Sequence, residues 1–258
     1  MKKLAPFIPD QGERMLIVGQ TGMGKTALVT WILQRIPVAP IFIYDTKIEP
    51  KFTKLPASKV AVTVEDAQAL VDDETVDYIV VRPPDEILGE PKLLDDYLWY
   101  HYQNFHGCPA YIDEGVTFMR GDRALRGMLS LMQRGRSKGI TTIVSSQRPK
   151  RIDRSIITEA SKVVSLRLGD KDDRKRLSDV IPNFHELPLP QKHWFYYFES
   201  GEEKPDLYKP VEIDDNLNTG YVDTSEPGQS AQGDEAQGDE PEKPGEPPKA
   251  PNLKHVWI

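Results

Sequence analysis

Met15-Leu16-Ile17-Val18-Gly19-Gln20-Thr21-Gly22-Met23-Gly24-Lys25-Thr26 decides the architecture of this 258-residue chain. The four apolar residues read as a buried strand, and the eight that follow have the spacing G-x-x-x-x-G-K-T of a phosphate-binding turn between strand and helix. Its glycines let the backbone curl until successive N–H groups point inward at phosphate oxygens. Gly19, Gln20, Thr21, Gly22, Met23 and Gly24 then form a cradle, Lys25 sets a point charge near the β and γ oxygens, and the Thr26 hydroxyl ligates Mg²⁺. Residues 27–36 are apolar on one face and predict a helix whose positive N-terminal dipole aims at the same place. A nucleoside triphosphate with Mg²⁺ is the ligand that fits.

Working outward, short apolar runs at 40–45, 60–64, 78–81, 109–112, 140–146, 163–168 and 193–198 read as strands. Segments 93–105, 124–138, 155–160 and 172–180 read as helices. Strands alternating with helices predict an α/β fold, a mainly parallel central sheet with helices on both faces, closed by the aromatic-rich strand 193–198. Ligands of such sheets sit beyond the C-terminal strand ends, where the loop, Asp45, Asp113, Glu114 and Gln147 all fall.

Asp113, ending the run Tyr111-Ile112, reads as the carboxylate that holds Mg²⁺ through water beside the phosphate loop. Glu114 reads as the general base for the attacking water, the pleat turning the two adjacent acids to different tasks. Gln147, at the end of a strand expected beside the loop strand, is either a sensor touching the γ-phosphate and the attacking water or an ordinary strand-end turn. Arg134 and Arg136, in Gln133-Arg134-Gly135-Arg136-Ser137-Lys138-Gly139, lie at a helix end where they either answer the C-terminal dipole or supply a charge-stabilising finger to a neighbouring subunit. Arg136 is the preferred finger and Arg134 its substitute.

The net charge of −7 conceals a division. From Glu199 onward there are 15 acidic and 5 basic residues among prolines and glycines, with Ala231-Gln232-Gly233-Asp234-Glu235 repeated at once as Ala236-Gln237-Gly238-Asp239-Glu240. Such a segment cannot bury enough apolar area to offset its ordering entropy, so 1–200 reads as one domain and 201–258 as a disordered acidic tail ending in the apolar Val256-Trp257-Ile258. The part before residue 199 is net positive, and residues 119–176 hold 16 Lys or Arg against 6 Asp or Glu. A polyanion would feel that field, and Arg120, Arg123, Lys150, Arg151 and Arg154 are the candidates for gripping phosphates without reading bases. A single cysteine, Cys108, excludes an intrachain disulfide. No run approaches the ~20 apolar residues of a membrane span, so a soluble, intracellular protein is expected.

Four blocks together resemble the HerA/FtsK superfamily of DNA-pumping ATPases, and within it the minimal viral genome-packaging branch. These are residues 19–26, the block Asp45-Thr46-Lys47-Ile48-Glu49, the pair Asp113-Glu114, and residues 134–140 running into Ser145-Ser146-Gln147-Arg148-Pro149. The resemblance implies a three-layer RecA/FtsK-like P-loop NTPase with ATP and Mg²⁺ as cofactors, Gln147 as sensor and Arg136 as trans finger. It also implies a homo-oligomeric ring, a hexamer, threading double-stranded DNA in the host cytoplasm or at the packaging vertex of a virion, with the tail docking on a capsid or viral membrane protein. A role for Asp45 does not follow from it. Two other classes fit the same residues: a motor for filamentous phage extrusion or conjugative transfer, and a non-motor nucleotide switch, against which Glu114 argues because a switch needs no fast base.

Overall fold

The computed structural model describes residues 5–212. In chain order its elements are β1 (Arg14–Val18), α1 (Lys25–Leu33), β2 (Ile41–Tyr44), β3 (Ser58–Ala61), α2 (Val64–Val71), β4 (Tyr78–Val81), α3 (Pro91–Asn104), β5 (Ala110–Ile112), β6 (Met119–Arg120), β7 (Arg123–Ala124), α4 (Arg126–Arg134), β8 (Thr142–Ser146), α5 (Arg154–Glu159), β9 (Lys162–Ser165), α6 (Lys171–Leu177), β10 (Phe195–Glu199) and β11 (Asp206–Tyr208). Nine strands form one sheet in the order β11-β10-β9-β1-β8-β5-β2-β4-β3. Every pairing from β9 to β3 is parallel, while β10 and β11 are added antiparallel.

Alternation along the buried strands divides the core between the two faces. In β1, Leu16 and Val18 join the helices α2 to α6, while Met15 and Ile17 face α1, the segment Phe7-Ile8 and Phe52. Strands buried on both faces read as continuous apolar runs, which is why β1, β2 and β4 were legible without a period. The three-layer plan therefore holds, with five helices on one face and α1 on the other.

Four local expectations change. The strand expected at 60–64 ends at Ala61, because Thr63 caps a new helix: its hydroxyl accepts from Asp66 N–H and the Asp66 carboxylate accepts from Thr63 N–H, a reciprocal box that starts α2. The helix expected over 124–138 is shorter. It starts at Arg126, after the hairpin β6–β7, and gives way at Gly135 to a 3₁₀ turn. The strand 193–198 is neither parallel nor last, since β11 pairs with it and Tyr208 is buried against Phe7, Phe195 and Tyr197. The folded part thus reaches past residue 200. The acidic repeats and the apolar end at 256–258 lie outside the described residues.

Candidate active site

β1 is central, flanked by β8 and β9, so the turn after it opens between two strand ends. Gly22 and Gly24 have φ of +78° and +92°, the left-handed region that disfavours a side chain. Gly24 starts α1, and Leu28 N–H donates to its carbonyl at 2.9 Å. Gly19 N–H and Gln20 N–H donate to Ser146 and Arg167, tying the loop to the ends of β8 and β9. Lys25 is buried. Burial pulls its ammonium below the ordinary value, Asp113 and Glu114 hold it up, and nearby Lys47 pulls it down again. It is a charge stabilised by acids and still short of a full partner.

The strand β5 ends at Ile112, so Asp113 and Glu114 lie just beyond it in a turn. Separation of the two acids therefore comes from a kink rather than from the expected pleat: Glu114 has φ +53°. Gly115 makes this possible, because a Cβ there would stand 2.5 Å from Val144 on β8. Asp113 is buried, and the Tyr111 and Ser145 hydroxyls both donate to its Oδ1, at 2.8 and 2.9 Å. They orient the carboxylate without engaging Oδ2. Asp113 and the half-buried Thr26 line the same cavity of about 600 Å³, which fits Mg²⁺: two hard oxygen donors from protein, the rest from water and phosphate. Among the described residues no group of three metal-ligating side chains gathers anywhere.

Glu114 is held from three sides. Its Oε2 lies 2.6 Å from Lys47 Nζ, and Oε1 accepts from the Ser146 hydroxyl at 3.1 Å and from Gln147 N–H at 3.2 Å. Burial alone would push its carboxyl up. The Lys47 contact, the Gln147 N–H and the charge of Lys25 outweigh burial and leave it below the ordinary range, a carboxylate at neutral pH. Gln147 also reaches the loop, its Oε1 accepting from the Thr21 hydroxyl at 2.6 Å. It bridges the phosphate cradle and Glu114.

Sequence reading missed several residues of this constellation. Lys47 carries no role in the sequence reading. Tyr111, Ser145 and Ser146 read as strand interior, although three hydroxyls near the ends of two adjacent buried strands are a signal in themselves. Phe195 at the start of β10, with His193 just before it and Val211 just after β11, lines one wall of the cavity. His193 packs against Gly24, where a Cβ would meet its ring at 2.8 Å. Asp45 now has an explanation. It is buried after β2, its Oδ1 accepting from Lys47 and Glu49 N–H while Oδ2 takes the Arg82 fork, and Arg82 also donates to Glu49 O at 3.0 Å. The pair fixes the turn that carries Lys47.

Arg134 and Arg136 are exposed at the opposite end of the sheet, with Arg136 against Gly12 just before β1. Of the expected phosphate grips, Arg120 and Arg123 are cross-strand partners on the exposed hairpin β6–β7, and Ala124 N–H bonds Asp153 beside Arg154, joining both groups. Lys150 faces Asp170 and Asp172, and Arg154 faces Asp179, so these two charges are partly neutralised. Arg151 is exposed and makes no ion pair among the described residues.

A phosphate loop at the edge of α1, an oriented aspartate and a charged glutamate at one set of parallel strand ends define a P-loop ATPase. No family model matches the chain. It is 26% identical over 217 residues to DNA packaging ATPase P9 of Enterobacteria phage PRD1, covering 79% of this chain and 89% of that protein. The genome packaging NTPase B204 of Sulfolobus turreted icosahedral virus 2 shares the fold. In complex with ATP-gammaS it superposes with a TM-score of 0.64 at 15% identity, over 78% of this chain and 98% of B204. The pCW3 conjugation coupling protein TcpA matches with a TM-score of 0.50 at 18% identity, over 80% of this chain and 62% of TcpA. The resemblance read from the four sequence blocks is thus supported: the chain has the fold and site of a P-loop ATPase and is similar to a viral DNA packaging ATPase.

Proposed function

We propose that this ATPase is a double-stranded DNA translocase that packages a viral genome into a preformed capsid, working as a homo-oligomeric ring. The observation that carries the reading is Glu114, a carboxylate kept charged beside the phosphate cradle, where a fast-hydrolysing motor needs its base and a slow switch does not. Lys25 neutralises the transferring phosphoryl oxygens, Glu114 takes the proton of the attacking water, and Gln147 couples that water to the loop through Thr21. Thr26 and Asp113 would hold Mg²⁺, which would offset the charge on the phosphate oxygens. Arg136, with Arg134 as substitute, reaches the next subunit's site. The basic surface around Arg120, Arg123 and Arg151 grips the duplex backbone, and the PRD1 relative, itself a DNA packaging ATPase, supports that substrate.

Hydrolysis measured with and without double-stranded DNA tests the proposal, together with electron microscopy of the protein with nucleotide. Stimulation by duplex and rings enclosing DNA are expected, and E114Q is expected to lower turnover at least about 10²-fold while retaining nucleotide. A monomer indifferent to duplex would end the motor reading and leave the ATPase.

A further inference from the structure

Lys47 separates two spaces. It and Gln147 line both the nucleotide cavity of about 600 Å³ and an adjoining crevice of about 320 Å³, whereas Glu114 lines the crevice alone. The base therefore stands behind a partition made by two side chains. The ammonium half of that partition is bonded to it at 2.6 Å, and Lys47 is 41% exposed against 14% for Glu114. The backbone beneath Lys47 is fixed by Asp45 and Arg82, as described above, so what moves is a four-carbon arm carrying a compact, rotatable charge. Beside it, the Thr46 hydroxyl is buried with no hydrogen-bond partner among the described residues.

We propose that Lys47 is a movable ligand of the terminal phosphate: without a triphosphate it clamps Glu114, and a γ-phosphate in the cavity draws its ammonium off the carboxylate, freeing the base and opening the partition. The competition is one of charge. A carboxylate offers one negative charge, while a terminal phosphate offers between one and two at neutral pH and several acceptor oxygens. ADP lacks that group at that place, so after phosphate release the arm returns to Glu114. Hydrolysis is thereby confined to the triphosphate-bound state, with no change of fold. The inference rests on reading residues 19–26 as the triphosphate site.

Titration calorimetry of the full chain with ATPγS and with ADP, in Mg²⁺ buffer without DNA, tests it apart from any motor activity. Lys47→Met is expected to weaken ATPγS about tenfold while ADP changes less than twofold, and Lys47→Arg to restore most of the loss. Glu114→Gln is expected to tighten ATPγS several-fold by removing the competitor, and to give no gain in the Lys47→Met background. Equal loss for both nucleotides in Lys47→Met, no loss for either, or a Glu114→Gln gain that survives without Lys47 would overturn it. Lys25→Ala distinguishes the two layers of the argument: loss of both nucleotides secures the site, and wild-type binding removes the site reading and this inference together.

Discussion

The two ends of the central sheet differ in the cations they leave exposed. At the C-terminal strand ends cations and anions are matched within the chain: Lys47 with Glu114, Arg82 with Asp45, Arg148 with Asp170 and Asp173. The other end has its own pairs, Arg14 with Glu159 and Lys162 with Glu13 and Glu199, but beside them Arg134 and Arg136 protrude without an acidic partner among the described residues. The first end is a site whose parts hold one another in place. In the proposed ring, the second end of one copy would bring these arginines to the first end of the next.

The largest expected effect breaks the comparison directly. Arg136→Ala should cut DNA-stimulated hydrolysis about 10³-fold if the protruding cation completes a neighbour's site, and mixing it with Lys25→Ala protein should restore part of the rate. Absence of complementation, with Arg134→Ala equally mute, would make the unpaired arginines mere surface. Next, Arg82→Ala leaves the buried Asp45 carboxyl without its cation, held by two backbone N–H groups alone, and urea unfolding should register a loss of about 3–5 kcal/mol. A near-neutral result would mean that the matched end is not held together by its pairs.

A smaller effect separates free from neutralised charges. Reversing Arg120, Arg123 or Arg151 should lower the salt slope of duplex binding by about one unit each. Lys150, already facing Asp170 and Asp172, should change it less. Equal slopes would erase the distinction. The smallest effect lies between the ends, where His101 is buried, its Nδ1 facing the Tyr44 hydroxyl and its Nε2 facing Cys108 O. Burial pulls its pKa from 6.5 to about 4. The unfolded chain takes up the proton first, so stability is full above about pH 6.5 and declines as pH falls toward 4. His101→Gln should remove that part of the slope in urea midpoints across the window, whatever it does to stability at neutral pH.

The phosphate loop, Asp113, Glu114 and Gln147 were legible because each ends or follows an apolar run, and the strand order puts those ends side by side. The loop's own spacing narrowed the chemistry before any neighbour was known. What escaped depends on partners distant in sequence. Lys47 acquires meaning from Glu114 across two adjacent strands, and Asp45 from Arg82 a strand further on. The left-handed Glu114 follows from Gly115 passing against Val144, which no local pattern announces. Thr63 and Asp66 did spell out the start of α2, but the valines around them read more strongly as strand. β11 was hidden by composition, since it borders an acidic stretch and contributes three residues.

That tight passage has a mechanical corollary. With Val144 acting as a stop for the backbone beside Glu114 and Gln147 just past the end of β8, one strand sets the position of both. A shift of β8 along its axis would therefore move the Val144 stop beside Glu114 and the Gln147 contact to Thr21 together.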